Sequence, residues 1–321
     1  MSDVPFHPSR IAIVGLGNVG STFAYALLLS GLAAEIVLID VNQVKAEGEA
    51  MDLDHAIPFA HPTRIWTGTY ADCAQAAVIV ITAGAAQKPG ETRLDLVNKN
   101  GMILRQIILE ITRHHPQGIL LITTNPVDVL TYAAWKLSGL PPQRVIGSGT
   151  ILDTARFRYL LSQYYGVDPH SVHAHIIGEH GDSEVPVWSL ANISGMRLSD
   201  FCAARGLVYD QNKMNSLFSQ TRDAAYEIIK RKGATYYAVA AGLMRIVEAI
   251  LRDQKTMLSV SSLIQDYYDI SDVCFSLPSV ISRVGVEWLL RLDLNPEEIE
   301  HLRHSVQVLK KAIAQLKLEE R

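Results

Sequence analysis

Apolar residues follow two spacings in the first half of this chain. Short unbroken runs at residues 11–14 (IAIV), 36–39 (IVLI), 78–82 (VIVIT) and 118–123 (GILLIT) are rich in β-branched residues and have no polar face. Such runs predict parallel strands buried on both sides. Residues 63–67 and 145–146 predict two shorter strands. Between the runs, helical spacing covers residues 21–29, 41–59 and 94–114. Residues 84–92 (GAAQKPGET) are a breaker-rich loop with little to bury, and Asn125-Pro126 predicts a turn compatible with a cis peptide. The second half changes character. Helices are predicted over 153–165, over 212–252 with an interruption at Lys232-Gly233, and over 296–318, which is amphipathic. Residues 171–177 alternate as a strand does, 178–186 (GEHGDSEVP) form a polar loop, and 257–277 predict antiparallel strands. Strands alternating with helices imply α/β class, a doubly wound parallel sheet over residues 1–147, followed by an α+β domain over 148–321.

The first strand runs straight into Gly15-Leu16-Gly17-Asn18-Val19-Gly20 and then into a helix, and the second strand ends at Asp40. This is G-x-G-x-x-G in the setting of a Rossmann-type fold. Gly15 permits the tight turn, Gly17 lets the backbone approach a pyrophosphate, and Gly20 lets helix and strand pack closely. The helix N-terminus presents free N–H groups to phosphate. Asp40 can accept hydrogen bonds from ribose hydroxyls and repels a 2′-phosphate, which favours NAD over NADP. A lone G-x-G-x-x-G is weak, but the flanking strand, helix and acid make this one specific. The ligand is expected at the carboxyl ends of the strands, where Gly15, Asp40, Gly84 and Asn125 fall.

Composition removes other classes. With 48% hydrophobic and 19% charged residues and a net charge of −4, the chain has the make-up of a well-packed soluble protein and no basic footprint for nucleic acid or an anionic membrane. Residues 11–34 lack charge, but their glycines and hydroxyls match the nucleotide fold rather than a membrane span. Cys73, Cys202 and Cys274 are few, odd in number and scattered, as free thiols in a reducing cytosol would be. Candidate chemistry lies mainly in the second half. His180 sits in GEHGDS; alone, it reads more often as a surface or core histidine than as an acid/base. Asp153 and Arg156 project from one helix face, as a structural ion pair also would. Arg93, at the foot of the breaker-rich loop, would by itself be a solvated charge. His173 and His175 lack zinc-type spacing, so no metal is expected, and His301 and His304 read as an exposed helix face.

Taken together, IAIVGLGNVGST, GAAQKPGETRLDL, TTNPVDVLT, GSGTILDTARFR, HIIGEHGDSEVPVW and KGATYYAVA resemble the lactate/malate dehydrogenase family, and within it the bacterial allosteric lactate branch. The resemblance implies hydride transfer between NAD and C2 of a small 2-hydroxy acid. It implies His180 as acid/base, Asp153 as its orienting partner, Arg156 as the grip on the substrate carboxylate, and Arg93 as a carbonyl-polarising group carried down by the loop. Asn125 and Thr235 would complete the substrate pocket. Val19, Lys45, Tyr70, Gly84, Ala85, Asn125 and Ser148 would join Gly15, Gly17, Gly20 and Asp40 around the dinucleotide. Gln87 occupies the position where the family's malate enzymes carry arginine. A neutral amide there leaves a second substrate carboxylate unpaired, so pyruvate/lactate is implied. Arg158, about 200° around the helix from Arg156, and His173 match an effector site for fructose 1,6-bisphosphate between subunits of a homotetramer. The competing readings are a malate or bulkier 2-hydroxy acid dehydrogenase, and an NAD-binding protein without catalysis.

Overall fold

The computed structural model describes residues 7–85 and 93–316. In chain order the first half comprises β1 (His7–Val14), α1 (Asn18–Ser30), β2 (Glu35–Ile39), α2 (Gln43–Ala56), β3 (Arg64–Thr67), β4 (Ala76–Ile81), α3 (Arg93–Thr112), β5 (Ile119–Ile122), α4 (Val127–Ser138) and β6 (Val145–Gly147). The second comprises α5 (Ile151–Tyr165), β7 (Val172–His173), β8 (Ile176–Ile177), β9 (Val185–Pro186), β10 (Asn192–Ile193), β11 (Met196–Arg197), α6 (Leu198–Ala204), α7 (Gln211–Lys232), α8 (Tyr237–Leu251), β12 (Thr256–Ile264), β13 (Val273–Ser282), β14 (Gly285–Leu289) and α9 (Pro296–Gln315).

The period-two geometry of β1 divides its side chains between two cores. Ile11 and Ile13 pack in a layer with Phe23 and Leu27 of α1 and Leu243, Ile246 and Val247 of α8. Ala12 and Val14 pack on the other face with Ile107, Ile108 and Ile111 of α3 and Leu130 of α4. Strands covered on both faces have no use for a polar side, which is why β4 and β5 read as continuous apolar runs. Full burial of each Leu, Ile or Phe contributes about 1.5–3 kcal/mol. Strands β3, β2, β1, β4, β5 and β6 are mutually parallel in that order. The winding direction reverses between β1 and β4, which opens the crevice where such folds hold ligands.

The sheet does not stop at β6. β12, β13 and β14 continue it antiparallel, giving nine strands. Small residues make the seam: Gly147 pairs with Ser261, and a Cβ added at Gly147 would fall 2.2 Å from Thr131 Oγ1. The strand expected across 171–177 is in fact two short strands in different sheets, β7 pairing with β10 and β8 with β9. Side chains of α5 interrupt it, because Arg158 Nε donates to the Ala174 carbonyl and the Ile176 N–H donates to Thr154 Oγ1. Asn125–Pro126 is cis. Among the described residues no helix is long and apolar enough to cross a membrane, no cluster of three metal-ligating side chains exists, and the three cysteines are free and buried.

Candidate active site

Five loops leave the carboxyl ends of parallel strands side by side, carrying Gly15 after β1, Asp40 after β2, Gly84 and Ala85 after β4, Asn125 after β5 and Ser148 after β6. Gly15 has φ +99°, and a Cβ there would lie 2.4 Å from the Ala83 nitrogen. A Cβ on Gly20 would lie 2.0 Å from the Gly15 carbonyl oxygen, so the turn and helix can approach only as glycines. Gly17 differs: a Cβ there would meet no protein atom within 4 Å. Its open side faces away from the packed core at the start of α1, which is the space a pyrophosphate needs beside unsatisfied N–H groups. Asp40 Oδ2 accepts from the Leu16 N–H at 2.6 Å and Oδ1 from the Asn42 N–H at 2.8 Å. These bonds fix the carboxylate and leave each oxygen a further lone pair. The cradle therefore fits a dinucleotide with free ribose hydroxyls. Val19 is half-buried in the first turn of α1. Lys45 is exposed, its N–H bonded to the N-capping Asn42 side chain, and Tyr70 is half-buried against the core, its phenol pKa raised by burial.

Beyond this crevice, α5 starts with Asp153 and Arg156 one turn apart, and the following loop brings His180 onto them. Asp153 uses one oxygen for each partner: Oδ2 lies 2.5 Å from His180 Nδ1, and Oδ1 accepts from Arg156 at 3.0 Å. Burial alone would raise the Asp153 carboxyl and lower the His180 imidazole. The two groups overcome this in each other. Asp153, with His180 and Arg156 beside it, is held below the usual carboxylate range. His180, whose strongest favourable partner is Asp153, is raised to about 9. An imidazole bonded through Nδ1 has Nε2 free to give or take a proton. His180, Asp153, Arg156 and Asn125 line one cavity of about 270 Å³, with Arg222 and Tyr226 of α7 on another side.

Several contributors to the site are buried polar residues, two inside ordinary helix patterns and one in a loop. Asn100, mid-helix in α3 and 2% exposed, bonds the N–H and carbonyl of Ala85 and the carbonyl of Asn125, tying two of the crevice loops together. Asp128 of α4, 1% exposed, accepts the His180 N–H at 2.7 Å. Glu184 lines the cavity with an unpartnered Oε1, and burial, reinforced by Asp153, raises its carboxyl to about 9. Asp128 lies in the quoted TTNPVDVLT and Glu184 in HIIGEHGDSEVPVW, yet neither spacing nor periodicity singled them out.

Other expected residues lie elsewhere. Gln87 and the Arg93 side chain fall outside the described residues, although Arg93 is the first residue of α3. Thr235, on the α7–α8 connection, is half-buried and stands outside the cavity wall. Arg158 points away from Arg156 into a separate cavity of about 440 Å³ shared with His170 and Arg245. His173 is exposed on β7.

A dinucleotide cradle, with an imidazole–carboxylate couple in a cavity reaching its Asn125 loop, defines the class as an NAD-dependent oxidoreductase. Residues 9–147 match the NAD-binding domain of lactate/malate dehydrogenases and residues 150–320 match their alpha/beta C-terminal domain; the chain belongs to that family. It is 55% identical over 313 residues to a probable L-lactate dehydrogenase of Schizosaccharomyces pombe, covering 98% of this chain and 94% of that one. It is 53% identical over 307 residues to an L-lactate dehydrogenase of Acetivibrio thermocellus, covering 96% and 97%. A crystal structure of the minor L-lactate dehydrogenase from Enterococcus mundtii in a ligand-bound form superposes with a TM-score of 0.94 at 42% identity, over 98% of this chain and all of that one.

Proposed function

We propose that the chain catalyses the reversible reduction of pyruvate to (S)-lactate. The observation that carries this reading is the His180–Asp153–Arg156 constellation facing a cavity shared with Asn125. Bound NADH supplies a hydride; the chain supplies everything else. Arg156, fixed through Asp153, offers its remaining N–H groups to one substrate carboxylate. His180, protonated at neutral pH, donates from Nε2 to the carbonyl oxygen as it becomes an alkoxide, and in reverse removes that proton from lactate. Asp153 holds the tautomer and stabilises the imidazolium. Arg93 would polarise the carbonyl and Gln87 would leave a second carboxylate unpaired, which favours a monocarboxylate. Gly15, Gly17, Gly20, Asp40, Gly84, Ala85 and Ser148 would hold the dinucleotide, with Val19, Lys45 and Tyr70 at its edges, and Thr235 would meet the substrate on closure. NADH oxidation with pyruvate, oxaloacetate and branched 2-oxo acids tests the assignment. Pyruvate should give the highest kcat/KM, and preference for either alternative overturns it.

We also propose that the enzyme is a cytoplasmic homotetramer activated by fructose 1,6-bisphosphate at Arg158 and His173. The support is electrostatic. Burial depresses His175 to about 4, and Arg158 and His173 both push it further the same way, so both lie near His175 and repel its charged form, while Arg158 also lines a cavity with His170 and Arg245. A bisphosphate would relieve that repulsion and favour the active assembly. Pyruvate saturation with and without the sugar bisphosphate, in wild type and an Arg158→Gln/His173→Gln double variant, should show activation only in the wild type. Equal activation of both would place the effector elsewhere.

A further inference from the structure

The loop that carries His180 is held from three directions. Gly178 pairs with Ser276 of β13, the Glu179 N–H donates to Ser305 Oγ of α9, and the His180 N–H donates to Asp128 Oδ2 of α4. The last bond differs from the others. Its acceptor is a carboxylate with almost no exposure, placed in the first turn of a helix, and its second oxygen, Oδ1, has only the weakly placed Ser261 Oγ of β12 as a side-chain donor, which lowers the carboxyl a little against the burial that raises it. A buried N–H needs only a neutral acceptor, and a serine or asparagine would serve at lower desolvation cost. An anion at this place therefore calls for a reason other than satisfying one amide.

We propose that Asp128 is a positioning residue for the proton-transfer step: its carboxylate anchors the backbone of His180 and, together with Asp153, brackets the imidazole between anions supplied by two different helices. The proposal rests on the reading of His180 as the acid/base. Asp153 reaches the ring from α5 and Asp128 reaches the main chain from α4, so the histidine is fixed at both ends of its own residue. The ring can then stay in place as its charge changes with each turnover, because neither anchor is the atom that exchanges the proton.

The groups facing this pair determine the pH behaviour. His180 faces Asp153 and Arg156 from α5, Asp128 from α4 and Glu184 beside β9. Asp128 faces His180 and Glu179 from the loop, Ser261 of β12 and the buried Cys274 of β13. Burial raises the Asp128 carboxyl to about 6. It is therefore charged throughout the range in which His180 titrates, and its effect on His180 fades as pH falls through about 6.

The test uses Asp128→Asn, which keeps an acceptor of the same shape and removes the charge, and Asp128→Ala, which removes both. Two readouts are taken: the pH profile of kcat/KM for pyruvate, and the NMR titration of the His180 ring in protein without substrate, assigned with a His180→Asn sample. With Asp128→Asn, proton binding by His180 should weaken about three- to tenfold, the alkaline limb of the profile should move down correspondingly, and NADH affinity should be unchanged. Asp128→Ala should lower kcat further at every pH, with KM changing less, because the ring loses its backbone anchor. A His180 titration in Asp128→Asn that coincides with wild type overturns the electrostatic part. An Asp128→Ala kcat equal to that of Asp128→Asn overturns the anchoring part. The ring titration reads the bracket without any turnover, so wild-type inactivity toward pyruvate would defeat the proposed reaction and leave this test intact.

Discussion

Asp153→Asn isolates the charge in the His180–Asp153 couple, since the amide oxygen can still accept from Nδ1–H. The raised imidazole, about 9 against an ordinary 6.5, corresponds to about 3 kcal/mol favouring the protonated ring. The sign follows from the chemistry. Pyruvate reduction needs protonated His180, so kcat/KM should be flat through neutrality and fall as pH rises through about 9, while lactate oxidation rises over the same range. Without the Asp153 charge the ring moves back toward its ordinary value, Asp128 remaining as a weaker partner. At about pH 8 the wild-type ring is roughly nine-tenths protonated, whereas one titrating near 6.5 is roughly one-thirtieth protonated. Pyruvate reduction should therefore drop by up to about thirtyfold from protonation alone, shrinking to less than about twofold near pH 6. A residual loss at low pH measures the second function of Asp153, which is to orient Arg156; it should appear in KM for pyruvate. The assay is NADH absorbance across about pH 6 to pH 10. If the alkaline limb of Asp153→Asn stays near that of wild type, the carboxylate does not set the proton affinity of His180, and the argument from the 2.5 Å contact fails.

Two further outcomes follow from named groups. Gln87→Arg should shift preference from pyruvate toward oxaloacetate by supplying the missing countercharge, by one or more orders of magnitude in the kcat/KM ratio; an unchanged ratio places specificity elsewhere. Glu184→Gln should raise Tm at about pH 8. A buried acid raised to about 9 costs stability progressively as pH climbs above its unfolded value near 4.5, so the gap between variant and wild type should close toward pH 5, and equal Tm values at both pH settings would show that Glu184 ionises freely.

The nucleotide half was legible because its signals are local. A both-faces-buried strand declares itself by an unbroken apolar run, and glycines at Gly15, Gly17 and Gly20 announce a backbone that must come close to something. The His180–Asp153 pairing was legible only through resemblance, since His180 is one histidine among 11 and Asp153 one carboxylate among 33 acidic residues. Asn100, Asp128 and Glu184 could not be read from any local pattern. Their importance comes from being buried opposite a particular partner, and burial of a polar residue is decided by packing between distant segments. The two-residue strands β9, β10 and β11 are too short to show a period. The break between β7 and β8 depends on α5 side chains, which only the assembled fold brings near.

The seam at Gly147 and Ser261 has a mechanical meaning. Because β12, β13 and β14 extend the sheet that begins at β3, the residues beside the dinucleotide and the loop holding His180 are mounted on one continuous twisted beam, with Gly178 riveted to Ser276 of β13. A beam of this kind resists opening like a hinge. Cutting the chain after Gly147 would bare the edge of β6 and strip α8 from the face of α1, leaving a fragment with an unpaired strand and an uncovered apolar layer. The first half alone should therefore aggregate rather than bind nucleotide. In amide exchange, β6 and β12 should open only when the whole molecule unfolds, and the sliding or clamping of parts needed during turnover should be borne by peripheral elements such as α7.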